Sequence, residues 1–203
     1  MSNILSTKDQ RQLRLMETLI QNRNWMKLHE LAEKLECTER ILKSDLNELR
    51  LAFPDIDIQF SANGIMIDLA LNTSVEDVYQ YFLAHSQSFQ LLEYLFFNEG
   101  LPIYRTIENL HSSNANLYRL GRNITKTLSS QFQIELSFTP SEIRGNEIDI
   151  RYFFAQYFSE RYYFLDWPFP DLPEEDLTEF ADFFYKITNY PMTFSIYRMY
   201  KLM

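Results

Sequence analysis

The chain has 203 residues, 46% hydrophobic and 16% aromatic, with a formal net charge of -9. Four glycines, one cysteine and neither GxGxxG nor GxxxxGKS/T exclude a glycine-rich phosphate loop and an intramolecular disulfide. Three scattered histidines offer no metal-ligand spacing, and apolar runs such as "LLEYLFF" fall far short of the ~20 residues of a membrane span.

Residues 8–22, "KDQRQLRLMETLIQN", place Leu13, Met16, Leu19 and Ile20 on one face of a helix. A short second helix is expected from about Met26 to Leu35, burying Leu28, Leu31, Ala32 and Leu35. Thr38 then reads as the N-cap of a third helix whose Leu42, Leu46 and Leu49 face inward, and which Pro54 stops. Ile56, Ile58 and Phe60 alternate, Asn63-Gly64 turns the chain, and Ile65, Ile67 and Leu69 alternate back, the pattern of a β-hairpin. Three helices followed by a hairpin make a winged helix-turn-helix.

The order repeats in looser form. Ser74 and Asp77 form a capping box that opens a helix through about His85. "SFQLLEYLFFNEG" buries Phe89, Leu92, Leu95 and Phe96. A short helix from Ile103 to Leu110 precedes "NLYRLGRNITKTLSSQF", with Leu117, Leu120, Ile124 and Leu128 inward, and "QIELSFTPSEIRG" supplies a second wing. The two third helices lie about 75 residues apart, a tandem pair rather than a solenoid. From Asn146 an aromatic-rich helix begins, "LDWPFPDLPEED" is the best linker candidate, and residues 174–188 form another amphipathic helix with an acidic start.

The fold class expected is therefore mainly α with small β-hairpin wings, as tandem winged helix-turn-helix domains followed by a helical segment. The expected domains are 1–72, 73–145 and 146–203, the last acidic, aromatic and leading into an incomplete regulatory domain.

Charge distribution decides which faces can meet nucleic acid. Residues 1–53 carry nine Lys/Arg against eight Asp/Glu, and residues 101–145 five against three. Residues 54–100 carry none against seven, and residues 146–203 five against ten. The two segments of positive balance are the two helix-turn-helix units, where phosphate neutralisation would have to occur.

On the first third helix the polar face presents Thr38, Glu39, Arg40, Lys43, Ser44 and Asn47, and all but Glu39 are candidates, together with Asn63 of the wing. Arg suits guanine edges, Asn suits adenine, and hydroxyls suit phosphate oxygens. Asp45 and Glu48 flank the stripe and are expected to pair with nearby basic side chains. The second stripe is Asn116, Arg119, Arg122, Asn123 and Lys126. Gly121 within it marks a close approach by another backbone, protein or DNA. The cluster Tyr152, Phe153, Phe154, Tyr157, Phe158, Tyr162, Tyr163, Phe164 and Trp167 could stack nucleobases, but on an acidic helix packing is the expectation. Each histidine stands alone and the carboxylate pairs sit at helix and strand starts, so no catalytic constellation is expected.

With these residues in view, the chain resembles the Mga-type virulence regulators of Gram-positive bacteria, which belong with regulators carrying sugar-phosphotransferase regulation domains (PRD). "LHELAEKLECTERILKSDLNEL" is similar to the first family helix-turn-helix. "NANLYRLGRNITKTL" with "IRGNEIDIRYFFAQYF" is similar to the second and to the segment after it. The resemblance covers essentially the whole chain. It implies a cytoplasmic, DNA-binding transcription regulator, an activator, that contacts double-stranded promoter DNA and needs no cofactor. It also implies a homodimer or higher oligomer, a contact with RNA polymerase, and no membrane partner. By position it places Thr38, Arg40, Lys43, Ser44 and Asn47 on the first recognition helix, and Asn116, Arg119, Arg122 and Lys126 on the second. Two departures stand out: Ile41 occupies a position where a small hydroxyl residue is frequent, and none of His29, His85 or His111 matches the family's phosphorylated histidines. The chain also stops near the start of the first regulation domain, the look of a fragment. The rival readings are a replication-initiator-type DNA binder and a protein-interaction module built on winged helices.

Overall fold

The computed structural model describes residues 1–69, 74–162, 167–188 and 201. It is mainly α, with two antiparallel hairpins, and its contacts divide the chain into two compact units, one of residues 2–86 and one built on residues 87–203.

The first unit opens with α1 (Thr7–Asn22), capped by the Ser6 hydroxyl, which accepts from the Asp9 N–H at 3.1 Å. Leu13, Met16, Leu19 and Ile20 are buried as their spacing predicts, joined by Leu15. α2 (Leu28–Lys34) is shorter than expected at both ends. Met26 is not helical, because its backbone exchanges two hydrogen bonds with Ile65, at 2.9 and 2.8 Å. Leu28 stays half-buried, while Leu31, Ala32 and Leu35 enter the core. Thr38 caps α3 (Glu39–Ala52), and Leu42, Leu46 and Leu49 are buried.

The wing pairs β1 (Ile56–Ser61) with β2 (Gly64–Leu69). Its register sets Ser61 opposite Gly64, so the turn residues are Ala62 and Asn63, one position earlier than an Asn-Gly turn would have it. Gly64 has another duty. Its φ is +125°, and a Cβ there would stand 2.1 Å from the Met26 carbonyl oxygen, so glycine is what lets Met26 join the wing as a third strand. α4 (Val75–His85) comes next, opened by the expected capping box of Ser74 and Asp77, and packs on α1.

The second unit repeats this order element by element. α5 (Gln87–Phe97), α6 (Ile103–Asn109) and α7 (Asn114–Ser129) lead to β3 (Glu135–Phe138) and β4 (Ser141–Arg144). Phe89, Leu92 and Leu95 of α5 are buried as expected, whereas Phe96 is 37% exposed. Backbone bonds between Ser141 and the Gly100–Leu101 segment reproduce the bridge that Met26 makes to Ile65. α8 (Glu147–Arg161), capped by the Asn146 side chain, then packs back on α5. Phe89 stacks on Tyr157 with centroids 5.3 Å apart, Phe96 meets Phe154 at 4.6 Å, and the Tyr157 hydroxyl donates to the Phe89 carbonyl.

Each unit is thus a winged helix-turn-helix closed by the helix after its wing, α4 on α1 and α8 on α5. This departs from the boundaries expected at 72/73 and 145/146. The first lies among residues outside the described set, and the compact division comes after Ser86. The physical reason is that a closing helix buries its apolar face within its own unit: Val78, Phe82 and Leu83 in α4, and Phe153, Phe154, Tyr157 and Phe158 in α8.

The aromatic cluster is therefore largely core. Tyr152 is the exception at 51% exposed, and Tyr163 and Phe164 lie outside the described residues. The proline-rich stretch is no free linker either. Phe169 reaches Phe158, with centroids 4.9 Å apart, and Trp167 stands edge-on to Phe169. α9 (Thr178–Thr188) comes after a 3-10 turn at Glu174–Leu177.

Candidate nucleic-acid interface

The turn joining the second and third helix is built alike in both units. After α2, Glu36 takes a left-handed φ of +52° and the Cys37 N–H reaches back to the Ala32 carbonyl at 2.9 Å. After α6, His111 takes φ +45° and the Ser112 N–H reaches the Ile107 carbonyl at 3.1 Å. Both are helix ends of the Schellman kind. The hydroxyls of Thr38 and Ser113 then accept from the N–H groups three residues on, at 3.3 and 3.2 Å. These paired features stand 75 residues apart and fix the register in which α3 and α7 can be compared.

On α3 the candidate side chains Arg40, Lys43, Ser44 and Asn47 are exposed. The Thr38 hydroxyl is occupied as the cap. Two of the helix's three acids are engaged by α1, Asp45 buried and Glu48 at the surface, while Glu39 stays exposed beside Arg40. Asp45, 2% exposed, accepts from Arg11 of α1 through Nε at 2.6 Å and through a terminal guanidinium nitrogen at 3.1 Å, and from Gln12 at 3.1 Å. Glu48 accepts from Lys8 at 2.5 Å and from Gln12 at 2.9 Å. Two electrostatic shifts result. The bond to Asp45 raises the Arg11 pKa, and the bond to Lys8 holds the Glu48 carboxyl below its usual range. The Cys37 thiol, half-buried in the adjoining turn, is pushed up by burial against the pull of Arg11. Among the described residues neither Arg40 nor Lys43 has an ion-pair partner, so the expected pairing of Asp45 and Glu48 leaves both cations free.

The first wing is different. Asp57 and Asp68 sit directly opposite each other and exposed, and residues 54–69 hold no Lys or Arg. Asn63 is exposed at the tip, its N–H donating to the Ser61 hydroxyl at 3.0 Å. Arg50, near the end of α3, covers the Phe60 ring at 5.7 Å.

On α7 the candidates separate. Asn116 is half-buried and spends its amide internally, donating to Gln87 at 3.2 Å and Ser112 at 2.9 Å and accepting from Arg119 at 2.7 Å. It orients Arg119 rather than standing free. Arg122 and Asn123 are exposed, and among the described residues Arg122 and Lys126 have no ion-pair partner. Gly121 does mark a close approach, but by the unit's own wing: a Cβ would lie 2.4 Å from the Phe138 ring. Tyr118, 42% exposed, stands edge-on to the same ring at 5.2 Å.

Sequence reasoning missed Lys8 and Arg11, which pair with Glu48 and Asp45, Gln12, which donates to both carboxylates, and Gln87, which fixes Asn116. The signal was present in part: Lys8 and Arg11 lie three apart on one face of α1. What periodicity cannot supply is the helix they turn toward. Among the described residues no helix is long and apolar enough to cross a membrane.

Comparison with known proteins bears on the same elements. Residues 6–65 match the family model of the M protein trans-acting positive regulator (MGA) HTH domain, and residues 71–158 that of the Mga helix-turn-helix domain. Residues 173–203 match the MGA PRD domain. A "Putative trans-acting regulator" of Streptococcus pneumoniae serotype 4 is 46% identical over all 203 residues, which cover 41% of that protein. The "Capsule synthesis positive regulator AcpA" of Bacillus anthracis is 24% identical over 179 residues, 85% of this chain and 36% of that protein. The chain thus spans about two fifths of the length of these relatives. The Mga helix-turn-helix match begins at 71 and so includes α4, whose contacts lie with the first unit, and it runs on through most of α8. Two winged helix-turn-helix units, matched in turn by the two helix-turn-helix models and succeeded by the PRD match, place this chain in the Mga family of trans-acting regulators.

Proposed function

We propose that this chain is the DNA-binding part of a transcription regulator that acts as an activator and contacts promoter duplex through α3 and α7. One observation carries the reading: two of the three acids of α3, Asp45 and Glu48, are engaged by α1, and Arg40 and Lys43 stand without ion-pair partners on the exposed face with Ser44, Asn47 and the remaining acid, Glu39. That arrangement offers hydrogen-bonding cations to base edges and phosphates and reduces the repulsion that would oppose them. α7 adds Arg119, Arg122 and Lys126, with Asn123 beside them and Asn116 in support. Thr38 holds the start of α3, and Asn63 is the neutral tip of an otherwise acidic wing. The names of the two relatives support the regulatory role, and that of the Bacillus anthracis protein the positive sign. Self-association and a contact with RNA polymerase complete the proposal.

The test is fluorescence anisotropy of the chain with a promoter-length duplex over a salt series. Binding should fall with salt at about 0.9 in log-log slope per phosphate neutralised. No binding at low salt would sink the reading and favour a protein-docking module, for which the acidic first wing is the observation in hand.

A further inference from the structure

Aligned on their N-caps, the two recognition helices carry complementary rather than repeated faces. Two positions after the cap α3 has Arg40 and α7 has Ala115; five after, Lys43 and Tyr118. Six after, α3 has Ser44 and α7 has Arg119; nine after, Asn47 and Arg122; thirteen after, Leu51 and Lys126. α3 thus has two cations in its first two turns before the position where α7 has its first. The totals differ as well. α3 contains three acids and three bases, whereas the sixteen residues of α7 contain three bases and no acid.

We infer that the two helices divide the work of holding duplex DNA, α3 reading base edges and α7 gripping the phosphate backbone. The inference rests on the duplex-binding reading above and goes further than it. A recognition helix meets base edges with its N-terminal residues. There α3 offers the guanine-matching guanidinium of Arg40 and, one turn beyond Lys43, the adenine-matching amide of Asn47. At the positions of Arg40 and Lys43 α7 offers a methyl group and a tyrosine ring braced against Phe138. Its cations lie further along, spaced by three and four residues and so on one stripe. The first of them is held in place by Asn116, itself anchored to Gln87 and Ser112. A pre-oriented, acid-free row of cations suits phosphates, which carry charge but no sequence information.

The experiment uses two variants of the full chain, each checked for native circular dichroism. Two probes serve: a duplex enriched by the wild-type chain from a random-sequence pool, and a random-sequence duplex of equal length. The variant R40K/N47A conserves charge and removes only bidentate base recognition. It should keep the wild-type salt slope while the ratio of affinities for the two duplexes falls about tenfold or more. The variant R119Q/R122Q/K126Q should weaken binding to both duplexes by the same factor and lower the slope by about 2.7. A wild-type ratio in the first variant, an unchanged slope in the second, or a selection returning no preferred sequence would each overturn the division. Wild-type chain that binds neither duplex would instead overturn the underlying reading.

Discussion

Arg11 of α1 grips Asp45 of α3 with two nitrogens, at 2.6 and 3.1 Å, around a carboxylate that is 2% exposed. This contact fixes the third helix against the first and keeps a negative charge off the proposed DNA face. A buried carboxylate left without its partner costs about 3–5 kcal/mol, more than the intact pair contributes net. R11A should therefore destabilise the first unit by an amount approaching that range, read as a lower urea midpoint. The double variant R11M/D45L should recover much of the loss. Equal stability of R11A and wild type would show that the pair does not hold the helices.

The neighbouring pair of Lys8 and Glu48 makes a pH prediction. The bond to Lys8 lowers the Glu48 pKa in the folded chain below its value in the unfolded chain. A depressed carboxylate contributes stability that is fully present above the unfolded value, about 4.3, and is lost as pH falls through the folded value. In K8A the Glu48 titration, tracked by side-chain NMR, should move up toward the unfolded value. An unmoved midpoint would assign the depression to Gln12 instead.

The turns between second and third helices should tolerate, and gain from, glycine. Glu36 and His111 hold left-handed φ values of +52° and +45° that cost an L-residue about 1 kcal/mol. E36G and H111G are each expected to raise stability by several tenths of a kcal/mol, after the added freedom of the unfolded chain is set against the relief. Thermal melts of the single variants decide it, and a lower midpoint in both would mean the side chains make contacts that offset the strain.

Much of this fold was legible because single elements announce themselves. The apolar faces of α1, α3 and α7, the caps at Thr38 and Ser74, and the alternation in both wings depend only on local spacing. What escaped was relational. Met26 looks helical because nothing local distinguishes a residue that bridges to Ile65, 39 positions away. α4 carries an ordinary amphipathic pattern that cannot say whether it closes the unit before it or opens the one after. The six-element repeat was hidden for the same reason, since its closing helices use Val78, Phe82 and Leu83 in one copy and a run of aromatics in the other. On the candidate interface, exposure of Arg40 and Lys43 comes from helix phase, whereas the engagement of Asn116 depends on Gln87, which belongs to another helix.

Tyr157 and Tyr162 of the second unit both donate to Glu93 of α5, at 2.9 and 2.5 Å. Burial, reinforced by this carboxylate, raises both phenol pKa values, so both hydroxyls stay protonated and donating throughout the neutral range. The Tyr157 hydroxyl also reaches the Phe89 carbonyl at 3.0 Å, which pins the closing helix α8 to the first helix of its unit. Y157F removes the single O–H that these two acceptors share while keeping the ring that stacks on Phe89. A buried hydrogen bond to a charged group is worth about 1.5–3 kcal/mol, so a loss of that size is expected for the second unit, read as a lower urea midpoint. A wild-type midpoint would mean the hydroxyl does not hold α8 in place.

Gly121 and Phe138 couple α7 to its wing. A methyl group at 121 would meet the ring at 2.4 Å, closer than side chains approach, so G121A must displace β3 or the ring itself. Helix propensity alone favours alanine by ~1 kcal/mol, which makes the sign informative. Overpacking of a filled core costs about 1–3 kcal/mol and should win. F138L should restore room, and G121A/F138L should be more stable than G121A alone. Because Tyr118 leans on the same ring, G121A is also expected to weaken duplex binding beyond its effect on folding, measured by anisotropy at a temperature where both chains are folded. An unimpaired G121A, with wild-type melting and wild-type binding, would mean the wing does not pack on this helix in solution.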